Sequence, residues 1–311
     1  MNITPTDDPV TDSHSHSQSQ PAVKYNIVYN PNTNRGGSKE ALVQLVSLFE
    51  KHDMHYALHR TTAPSDATTI AKTLAQAGET KLVVAGGDGT LYEALNGVSE
   101  TMDIAIIPVG TGNDVAKTLG IPLNVAGAFE LIKNQQLRSI DYAQITGGVK
   151  SLSLISYGIT SSVLSDMRSY KTNRALNYYR ALLTNMFGFK APTYTVRMGD
   201  KERSVAADFL TVHNCKYAGG GMELCTPAVI DDGQLNLLIV QYRNKFRRIL
   251  NLIALLRGTL YKQPNVKILP VERVSISSPN DNICSIDGEL VPLSYVDVQV
   301  VSGGLRVYAP S

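Results

Sequence analysis

The sequence has few cysteines and little net charge, and both absences exclude classes of protein. Only three cysteines occur among its 311 residues, at Cys215, Cys225 and Cys284. An odd number without metal-type spacing argues against a disulfide framework and against a zinc site, and favours a reducing, intracellular setting. The formal net charge is +2, so the charge balance predicts no nucleic-acid partner.

Long hydrophobic runs are also absent. The longest aliphatic-rich stretch is ILNLIALL at 249–256, far shorter than the roughly 20 residues that span a bilayer as a helix. The first residues lack the apolar segment of a secretory signal peptide. We therefore expect a cytoplasmic protein whose membrane contact is peripheral. The sequence leaves the oligomeric state open, a homodimer included.

The first part of the chain alternates strand-like and helix-like patterns. Residues 1–22 are polar and of low complexity, which predicts a disordered tail. From 23 to 140, short apolar runs such as KLVVAGG (81–87) and DIAIIPVG (103–110) alternate with helical patterns of ordinary length. Since several runs look buried on both faces, this part predicts a doubly wound α/β nucleotide-binding domain with a parallel sheet.

The pattern changes near residue 141. Residues 141–311 contain many short strand-like runs, interrupted by two helical stretches at about 161–187 and 244–260. This pattern predicts a C-terminal β-sandwich-like domain or an open barrel, whose last strands could pack back on the first domain. The predicted fold is therefore α/β with a second, β-rich domain that we expect to bind the substrate.

A glycine-rich turn, GGDGT at 86–90, follows one of the buried strands. Glycines allow positive φ and close approach, so successive backbone N–H groups can form a nest for phosphate at a helix N-terminus. Asp88 is out of place in an anion site unless a cation such as Mg²⁺ bridges the phosphates. Tyr92 excludes a dinucleotide GxGxxG, and Ala116 before Lys117 excludes a P-loop. The alternative is a plain βα turn, for which one glycine usually suffices.

Two further turns repeat this arrangement. PVGTGNDVAK (108–117) leaves a buried strand, passes two glycines and enters a helix, and NPNTNRGGSK (30–39) follows the first strand. Asn113 and Asp114 are good helix N-caps, which is an alternative role for one of them. Because carboxyl ends of parallel strands form the ligand edge of such sheets, we expect all three turns at one site.

GGDGT, followed about twenty residues later by GTGNDVA and then by GGGMELCTPAVIDDGQLNL and IDGE, resembles the diacylglycerol kinase catalytic-domain family. That superfamily also holds sphingosine and ceramide kinases. The resemblance runs from about Val23 to near the C-terminus and is closest to soluble bacterial lipid kinases. NAD kinases and phosphofructokinases carry turns like GGDGT, but the combination fits lipid kinases better.

The resemblance implies that ATP binds between the two domains with Mg²⁺. Position by position, the implied nucleotide contacts are Asn30, Pro31, Asn32, Thr33, Asn34, Arg35, Thr61, Gly86, Gly87, Asp88, Gly89, Thr90, Leu91, Tyr92 and Thr111. It also implies that Asp88, Asp114 and Asp141 surround the catalytic Mg²⁺. A second, structural Mg²⁺ is implied at Asp232 and the backbone oxygens of Val229 and Gln234.

The resemblance further implies that the catalytic base is Asp287 or its neighbour Glu289. Each acid also has a plain structural alternative, since Asp287-Gly288 is a hairpin-turn signal and Asp231-Asp232-Gly233 is an ordinary turn signal. Three positions depart from the family pattern: Tyr92 replaces a frequent asparagine, Asn34 a frequent glycine and Cys215 a frequent small residue.

A basic amphipathic segment indicates where lipid could meet the protein. In 244–263, Phe246, Ile249, Leu250, Ile253 and Leu256 fall on one helical face and basic residues surround it. Such a helix can lie on anionic lipid, although covering the β domain with the apolar side is the commoner role. The aromatic residues of 167–189 present the same choice between a lipid cleft and a core.

The sequence thus predicts an ATP-dependent lipid kinase, with diacylglycerol as the expected acceptor and phosphatidate as the product. A kinase for another lipid alcohol, such as a sphingoid base, is the alternative enzyme. A non-catalytic nucleotide or lipid sensor is the alternative of a different class, and the acids at 88, 114, 141, 232 and 287 argue against it.

Overall fold

The computed structural model describes residues 23–33, 37–168, 184, 188–279 and 283–311. The predicted tail 1–22 lies outside these residues, as do the predicted nucleotide contacts Asn34 and Arg35. Most of the aromatic stretch 167–189 also lies outside them.

The first half of the chain is a four-stranded parallel sheet with helices on both faces, as predicted. Its strands, in spatial order, are β2 (His55–Arg60), β1 (Lys24–Tyr29), β3 (Lys81–Gly86) and β4 (Asp103–Pro108). Its helices are α1 (Gly37–Lys51), α2 (Asp66–Gln76), α3 (Asp88–Leu95), α4 (Asp114–Leu119) and α5 (Val125–Lys133). All six residues of β4 are buried, which is why its sequence reads as one apolar run rather than an alternation.

The chain reverses direction across this sheet after β2. β1 pairs with β2 on one side and with β3 on the other, so the connections from β1 and β3 leave to opposite sides. A crevice at the carboxyl ends of such strands is where open α/β sheets bind ligands. The turns that follow β1 and β3 both lie at this edge.

The second half is built from antiparallel strands around a separate apolar core. Its strands are β5 (Leu137–Ile145), β6 (Val149–Ser151), β7 (Leu154–Gly158), β8 (Thr193–Met198), β9 (Lys201–His213), β10 (Tyr217–Ala218), β11 (Met222–Glu223), β12 (Leu235–Gln241), β13 (Val266–Val271), β14 (Arg273–Ser277), β15 (Cys284–Ile286), β16 (Glu289–Val291) and β17 (Tyr295–Tyr308). The helices that the structure describes in full here are α6 (Ile159–Arg168) and α7 (Lys245–Leu256), and a 3₁₀ turn follows at Leu260–Lys262.

The long strand β9 connects the two layers of this half. Its first residues pair with β8, whereas Phe209–His213 lie between β7 and β12. Tyr157 and Tyr194 meet in the core between the layers, with ring centroids 5.9 Å apart. The arrangement confirms the predicted β-sandwich-like second half.

The last strand joins the two halves. β17 runs antiparallel to β5 and pairs with β4 in parallel through Arg306 and Val307. At this junction the carboxylate of Asp103, fully buried, forms ion pairs with Lys81 and Arg306. The predicted boundary between 140 and 141 therefore divides a continuous strand, because β5 pairs with β17 on both sides of it.

Candidate active site

The glycines of the GGDGT and GTGND turns let the two turns touch. A Cβ on Gly110 would lie 2.5 Å from the Cα of Gly87, and one on Gly87 would lie 3.1 Å from the Cα of Gly110. A Cβ atom cannot lie 2.5 Å from a backbone carbon, so only glycine fits at position 110. Sequence reasoning assigned these glycines to phosphate contact, and the structure adds a steric reason why the turns need them.

The turn after β1 packs against the same place. The Asn30 side-chain amide donates to Thr90 Oγ1 at 3.4 Å, and the methyl of Thr33 lies 3.8 Å from the Cβ position of Gly87. Thr61, at the end of β2, is buried and donates its N–H to Tyr29 O at 3.0 Å. The structure thus brings Asn30, Thr33, Thr61 and the GGDGT turn together at one edge of the sheet.

Several predicted nucleotide contacts have other environments. The Leu91 side chain is buried in the core of the first half, so a nucleotide contact at this position would use its backbone. Gly86 faces Thr90, whose Cβ would lie 2.5 Å from a Cβ on Gly86. Thr111 is exposed at the surface. Of the first turn, Pro31 accepts a hydrogen bond from Ser38 and the Asn32 N–H donates to Asn30.

Gly89 differs from its neighbours because no described part of the protein packs against it. Within the described residues, a Cβ on Gly89 would have no atom within 4 Å, and the residue lies in the first turn of α3. Alanine there should fold as well as glycine or better, since alanine is the stronger helix former. The open space above this position fits a ligand that approaches the backbone.

We predict that Gly89→Ala keeps the melting temperature but weakens nucleotide binding about tenfold or more, because the added methyl occupies the ligand's space. Calorimetric titration with Mg-ATP measures the binding, and thermal denaturation measures the fold. Gly97→Ala is the matched control for a protein contact, because its Cβ would lie 2.3 Å from Thr68 O and should lower the melting temperature. Unchanged nucleotide affinity in Gly89→Ala would place the nucleotide elsewhere.

Asp88 and Asp114 are neighbours across Gly112. A Cβ on Gly112 would lie 2.9 Å from Asp88 Oδ2 and 3.6 Å from Asp114 Oδ2. Asp114 is buried and accepts the N–H groups of Gly220 and Gly221, at 3.1 and 2.5 Å, from the second half of the chain. This acid therefore helps to hold the two halves together around the site.

The environment of Asp88 suits a cation. Burial, and then the neighbouring Asp114 carboxylate, raise the pKa of Asp88 to about 6. A divalent cation would relieve both effects. In the part of the chain that the structure describes, no three His, Cys, Asp or Glu side chains converge on one point. Mg²⁺ often takes one or two carboxylates and completes its shell with substrate phosphates and water, which these two acids fit.

Asn113 holds the second turn rather than capping a helix. It occupies the N-cap position of α4 with φ +50°, but its side chain makes no capping bond. Instead Asn113 Oδ1 accepts the Gly110 N–H at 3.0 Å, and its amide donates to Gly110 O at 2.9 Å. These two hydrogen bonds fix the conformation of the loop that leads to Asp114.

Asp141 lies in a different setting from the one implied for it. Its two carboxylate oxygens accept the N–H groups of Gly233 and Gly303, each at 2.7 Å. These bonds tie it to the loop of the predicted second metal instead of to Asp88 and Asp114. In that loop Asp232 Oδ1 accepts the Gln234 N–H at 3.0 Å. Val229 is partly exposed, and the metal site there stays a prediction.

Asp287 occupies a tight hairpin turn and also anchors a neighbouring segment. Asp287 and Gly288, with φ +47° and +91°, form the two-residue turn between β15 and β16. The Asp287 carboxylate accepts four hydrogen bonds from Ser151 Oγ and from the N–H groups of Leu152, Ser153 and Leu154, at 2.6–3.0 Å. Burial raises the pKa of Asp287, and these four bonds oppose the rise.

A cavity of about 180 Å³ opens between the two halves. Acids from both halves reach it, namely Asp88, Asp114 and Asp287. Its apolar lining comes from the second half: Leu154, Leu164, Phe209, Leu224 and Leu238. A pocket with charges at one end and apolar walls suits a substrate that has a polar head and a hydrocarbon body.

Tyr92 connects this region to the second half. Its ring packs against the core of the second half. Burial, followed by the charges of Asp287 and Glu289, raises the pKa of Tyr92 to about 12. Tyr92, which the resemblance implied as a nucleotide contact, therefore lies within range of the charges of Asp287 and Glu289.

Sequence reasoning missed the polar residues in the wall of the cavity. These are Ser153, Ser156, Thr211, His213 and Ser285. Burial lowers the pKa of His213 to about 4, so its ring is neutral at physiological pH. None of the five lies in a recognisable motif, because their proximity depends on strand pairing between distant segments.

Comparison with known proteins agrees with this geometry. Residues 24–145 match the diacylglycerol kinase catalytic domain, and residues 153–309 match the YegS C-terminal NAD kinase beta sandwich-like domain. The "Diacylglycerol kinase" of Bacillus subtilis (strain 168) is 26% identical over 288 residues, covering 88% of this chain and 92% of that protein. A "Probable lipid kinase YegS-like" protein of Chromohalobacter salexigens is 29% identical and covers 82% of this chain and 84% of its own length.

Solved structures share the fold across nearly the whole chain. A crystal structure of a diacylglycerol kinase from Bacillus anthracis str. Sterne superimposes with a TM-score of 0.68 at 17% identity, covering 94% of this chain and 98% of that one. A second crystal structure from the same organism gives a TM-score of 0.77 at 20% identity, covering 95% and 98%. Because the two family models together span both halves, the chain belongs to the diacylglycerol kinase catalytic-domain family of lipid kinases.

Proposed function

We propose that this lipid kinase transfers the γ-phosphate of ATP to the hydroxyl of diacylglycerol, giving phosphatidate. The observation that carries the proposal is the cavity between the halves. It is continuous from the carboxylates of Asp88 and Asp114 to the apolar side chains of Leu154, Phe209 and Leu238. A lipid alcohol bound there would place its hydroxyl at the acids and its acyl chains in the apolar part.

The roles of the residues follow from this placement. Mg-ATP, when bound, supplies the phosphoryl group and the cation that offsets its charge. Asp88 and Asp114 would hold that cation, and the backbone around Gly89 would position the phosphates. The apolar walls exclude water, which strengthens the electrostatic contacts of the acids and prevents hydrolysis.

We assign the proton-accepting role to Glu289 rather than to Asp287. All four hydrogen bonds of the Asp287 carboxylate would be weakened if it took up a proton in each cycle. Glu289 is exposed, begins β16, and follows Gly288, which lines the cavity. Its charge also acts on Tyr92 together with that of Asp287, which places the two carboxylates in the same region.

A transfer assay tests the proposal directly. Radiolabelled Mg-ATP is supplied with diacylglycerol, monoacylglycerol, sphingosine, ceramide or phosphatidylglycerol in mixed micelles, with NAD as a further acceptor. Labelled phosphatidate as the main product supports the proposal. A labelled sphingoid base would assign the chain to the alternative acceptor, and labelled NADP or no labelled product would overturn the lipid-kinase assignment for this protein.

The second part of the proposal concerns the membrane, since helix α7 exposes three of its large apolar residues, Phe246, Ile253 and Leu256. Its buried positions are Arg248, Asn251 and Ala254, and the Arg248 guanidinium pairs with the buried carboxylate of Asp208 at 2.7 Å. Phe246 is 69% exposed and Leu256 is 54% exposed. The helix therefore does not cover the β domain with the side that the sequence predicted to be apolar.

The charges around α7 match an anionic bilayer. Residues 242–263 contain no acidic residue. Apart from the buried Arg248, their basic residues are Arg243, Lys245, Arg247, Arg257 and Lys262. No helix of the described residues is long and apolar enough to cross a membrane. We propose that α7 lies on the membrane surface, with Phe246, Ile253 and Leu256 in the headgroup region.

We predict that Phe246→Ser with Leu256→Ser lowers binding to phosphatidylglycerol vesicles roughly thirtyfold, because about 2 kcal/mol of apolar burial is lost. Vesicle co-sedimentation measures the binding. Val43→Ser, which changes a 66% exposed residue on α1, is the matched control and should bind as the unmodified protein does. Equal binding of the double variant would exclude α7 as the docking surface.

A further inference from the structure

Three hydroxyl side chains form a row across the wall of the cavity. Ser285 on β15 pairs with Ser156 on β7, which pairs with Thr211 on β9. Because residues at matched register point to the same face of a sheet, the three side chains stand side by side, and all three line the cavity. We call Ser285, Ser156 and Thr211 the hydroxyl row.

Two members of the hydroxyl row have no partner in the protein. Ser156 and Ser285 are each 1% exposed, and neither Oγ makes a hydrogen bond within the described residues. Thr211 differs, because its Oγ1 lies 2.8 Å from His213 Nε2. Buried hydroxyls are nearly always paired, so two adjacent unpaired ones that face a cavity indicate a ligand atom.

The chemistry of the row limits what that atom can be. Two hydroxyls donate hydrogen bonds, and the neighbouring His213 ring is neutral, so this wall offers no charge to a phosphate or an ammonium group. A carbonyl oxygen is the matching neutral acceptor. The ester carbonyls of an acylglycerol are such atoms, and the carbons that carry its acyl chains would continue into the apolar part of the cavity.

The position of the row suits an ester next to the reacting hydroxyl. Ser156 lies two residues along β7 from Leu154, which is a separation of about 6.6 Å. Leu154 is hydrogen-bonded to Asp287 through both its N–H and its carbonyl. The row therefore lies a few bond lengths beyond the acids of the hairpin turn, as the ester groups of a diacylglycerol lie a few bonds from its free hydroxyl.

We propose that Ser156 and Ser285 donate hydrogen bonds to ester carbonyl oxygens of the acceptor lipid, and thereby make the cavity select acyl-linked over alkyl-linked glycerolipids. The inference rests on the proposed function of this cavity as the lipid site. Selectivity for ester-linked lipids would then depend on these two hydroxyl groups as well as on the shape of the pocket.

The test compares two lipids that differ only in these carbonyls. 1,2-Dioctanoylglycerol carries two esters, and 1,2-dioctylglycerol carries two ethers of the same chain length. For the unmodified protein we expect kcat/KM to favour the diester about tenfold or more, since a site built to hydrogen-bond a group rejects an analogue that lacks it. Ser156→Ala with Ser285→Ala should bring this ratio close to one, mainly by slowing the diester reaction.

A control variant separates selectivity from folding. Ser156→Ala and Ser285→Ala remove unpaired hydroxyls, so they should not lower the melting temperature. Ser161→Ala changes an equally buried serine whose hydroxyl donates to Ser156 O at 2.8 Å. That control should lower the melting temperature slightly and leave the ratio of diester to diether unchanged.

Binding of the two lipids without nucleotide, measured by calorimetry, makes the test independent of phosphoryl transfer. Preferential binding of the diester that disappears in the double variant supports the inference, even if neither lipid is phosphorylated, in which case only the proposed activity fails. Equal binding of both lipids by the unmodified protein overturns the inference. A diester preference that survives in the double variant overturns it as well.

Discussion

Asp88→Asn is expected to abolish phosphoryl transfer and, at the same time, to make the metal-free protein more stable at neutral pH. The carboxylate lies near Asp114 in a half-buried position, and both conditions disfavour its charge. An amide of the same shape removes that penalty. It also removes one ligand of the proposed cation, so we expect kcat to fall at least about 10³-fold, equivalent to roughly 4 kcal/mol.

The stability effect has a defined pH dependence. The pKa of Asp88 is about 6 in the folded protein, against about 3.9 in an unfolded chain. Between these values the folded state retains a proton that the unfolded state has lost, so stability falls as pH rises from about 4 to 6. Above pH 6 the ionised Asp88 lowers the free energy of unfolding by its full amount, which we expect to be about 1–2 kcal/mol after solvent screening.

Thermal denaturation without Mg²⁺ at pH 5 and pH 7.5 measures this effect. Asp88→Asn should gain stability over the unmodified protein at pH 7.5, and about half as much at pH 5, which lies midway between the two pKa values. Asp200→Asn, in the exposed turn between β8 and β9, controls for the loss of one negative charge and should show no such difference. A variant with more than a tenth of the normal kcat would contradict the cation-binding role of Asp88.

The site elements that sequence could predict are those made by one continuous segment. The runs before GGDGT and GTGND are apolar throughout, which indicates strands buried on both faces, and the structure has β3 and β4 there. Glycines at the ends of these strands predict turns at one edge of the sheet, since parallel strands share their carboxyl edge. The contact of Gly87 with Gly110 follows from the same geometry.

The elements that sequence could not predict depend on pairing between distant segments. The hydroxyl row joins residues 156, 211 and 285, and no local pattern records that β7 lies between β9 and β15. The orientation of α7 could not be predicted from the sequence for a similar reason. Its apolar side would normally face the core, but Arg248 turns inward to pair with Asp208, which is 40 residues away in sequence.

Asp287 shows why a motif can have two correct interpretations. The dipeptide Asp-Gly predicted a tight hairpin, and the structure has one, with positive φ at both positions. The resemblance implied catalysis at Asp287 or Glu289, and Asp287 does line the cavity. Its four hydrogen bonds to residues 151–154 make it an anchor for the cavity wall, a role that neither the turn signal nor the resemblance contained.

Substitutions at Asp287 and Glu289 should therefore fail in different ways. Asp287→Asn would point an amide N–H₂ at backbone N–H groups that need an acceptor, so we expect the free energy of unfolding to drop by about 3 kcal/mol. Glu289→Gln changes an exposed side chain and should leave the melting temperature within about 1 °C of the original. If Glu289 accepts the proton, kcat should fall roughly 10²–10⁴-fold in Glu289→Gln, while KM for Mg-ATP stays the same.

The pH profile of kcat completes the separation of the two acids. Loss of a general base removes the acidic limb of the profile, whereas loss of an anchor lowers kcat at every pH and keeps its shape. We expect Glu289→Gln to lose the acidic limb. We expect the folded fraction of Asp287→Asn, measured at low temperature, to have a lower kcat at every pH with an unchanged profile shape. A fully active Glu289→Gln would show that the base lies elsewhere, and an acidic limb missing only in Asp287→Asn would return that role to Asp287.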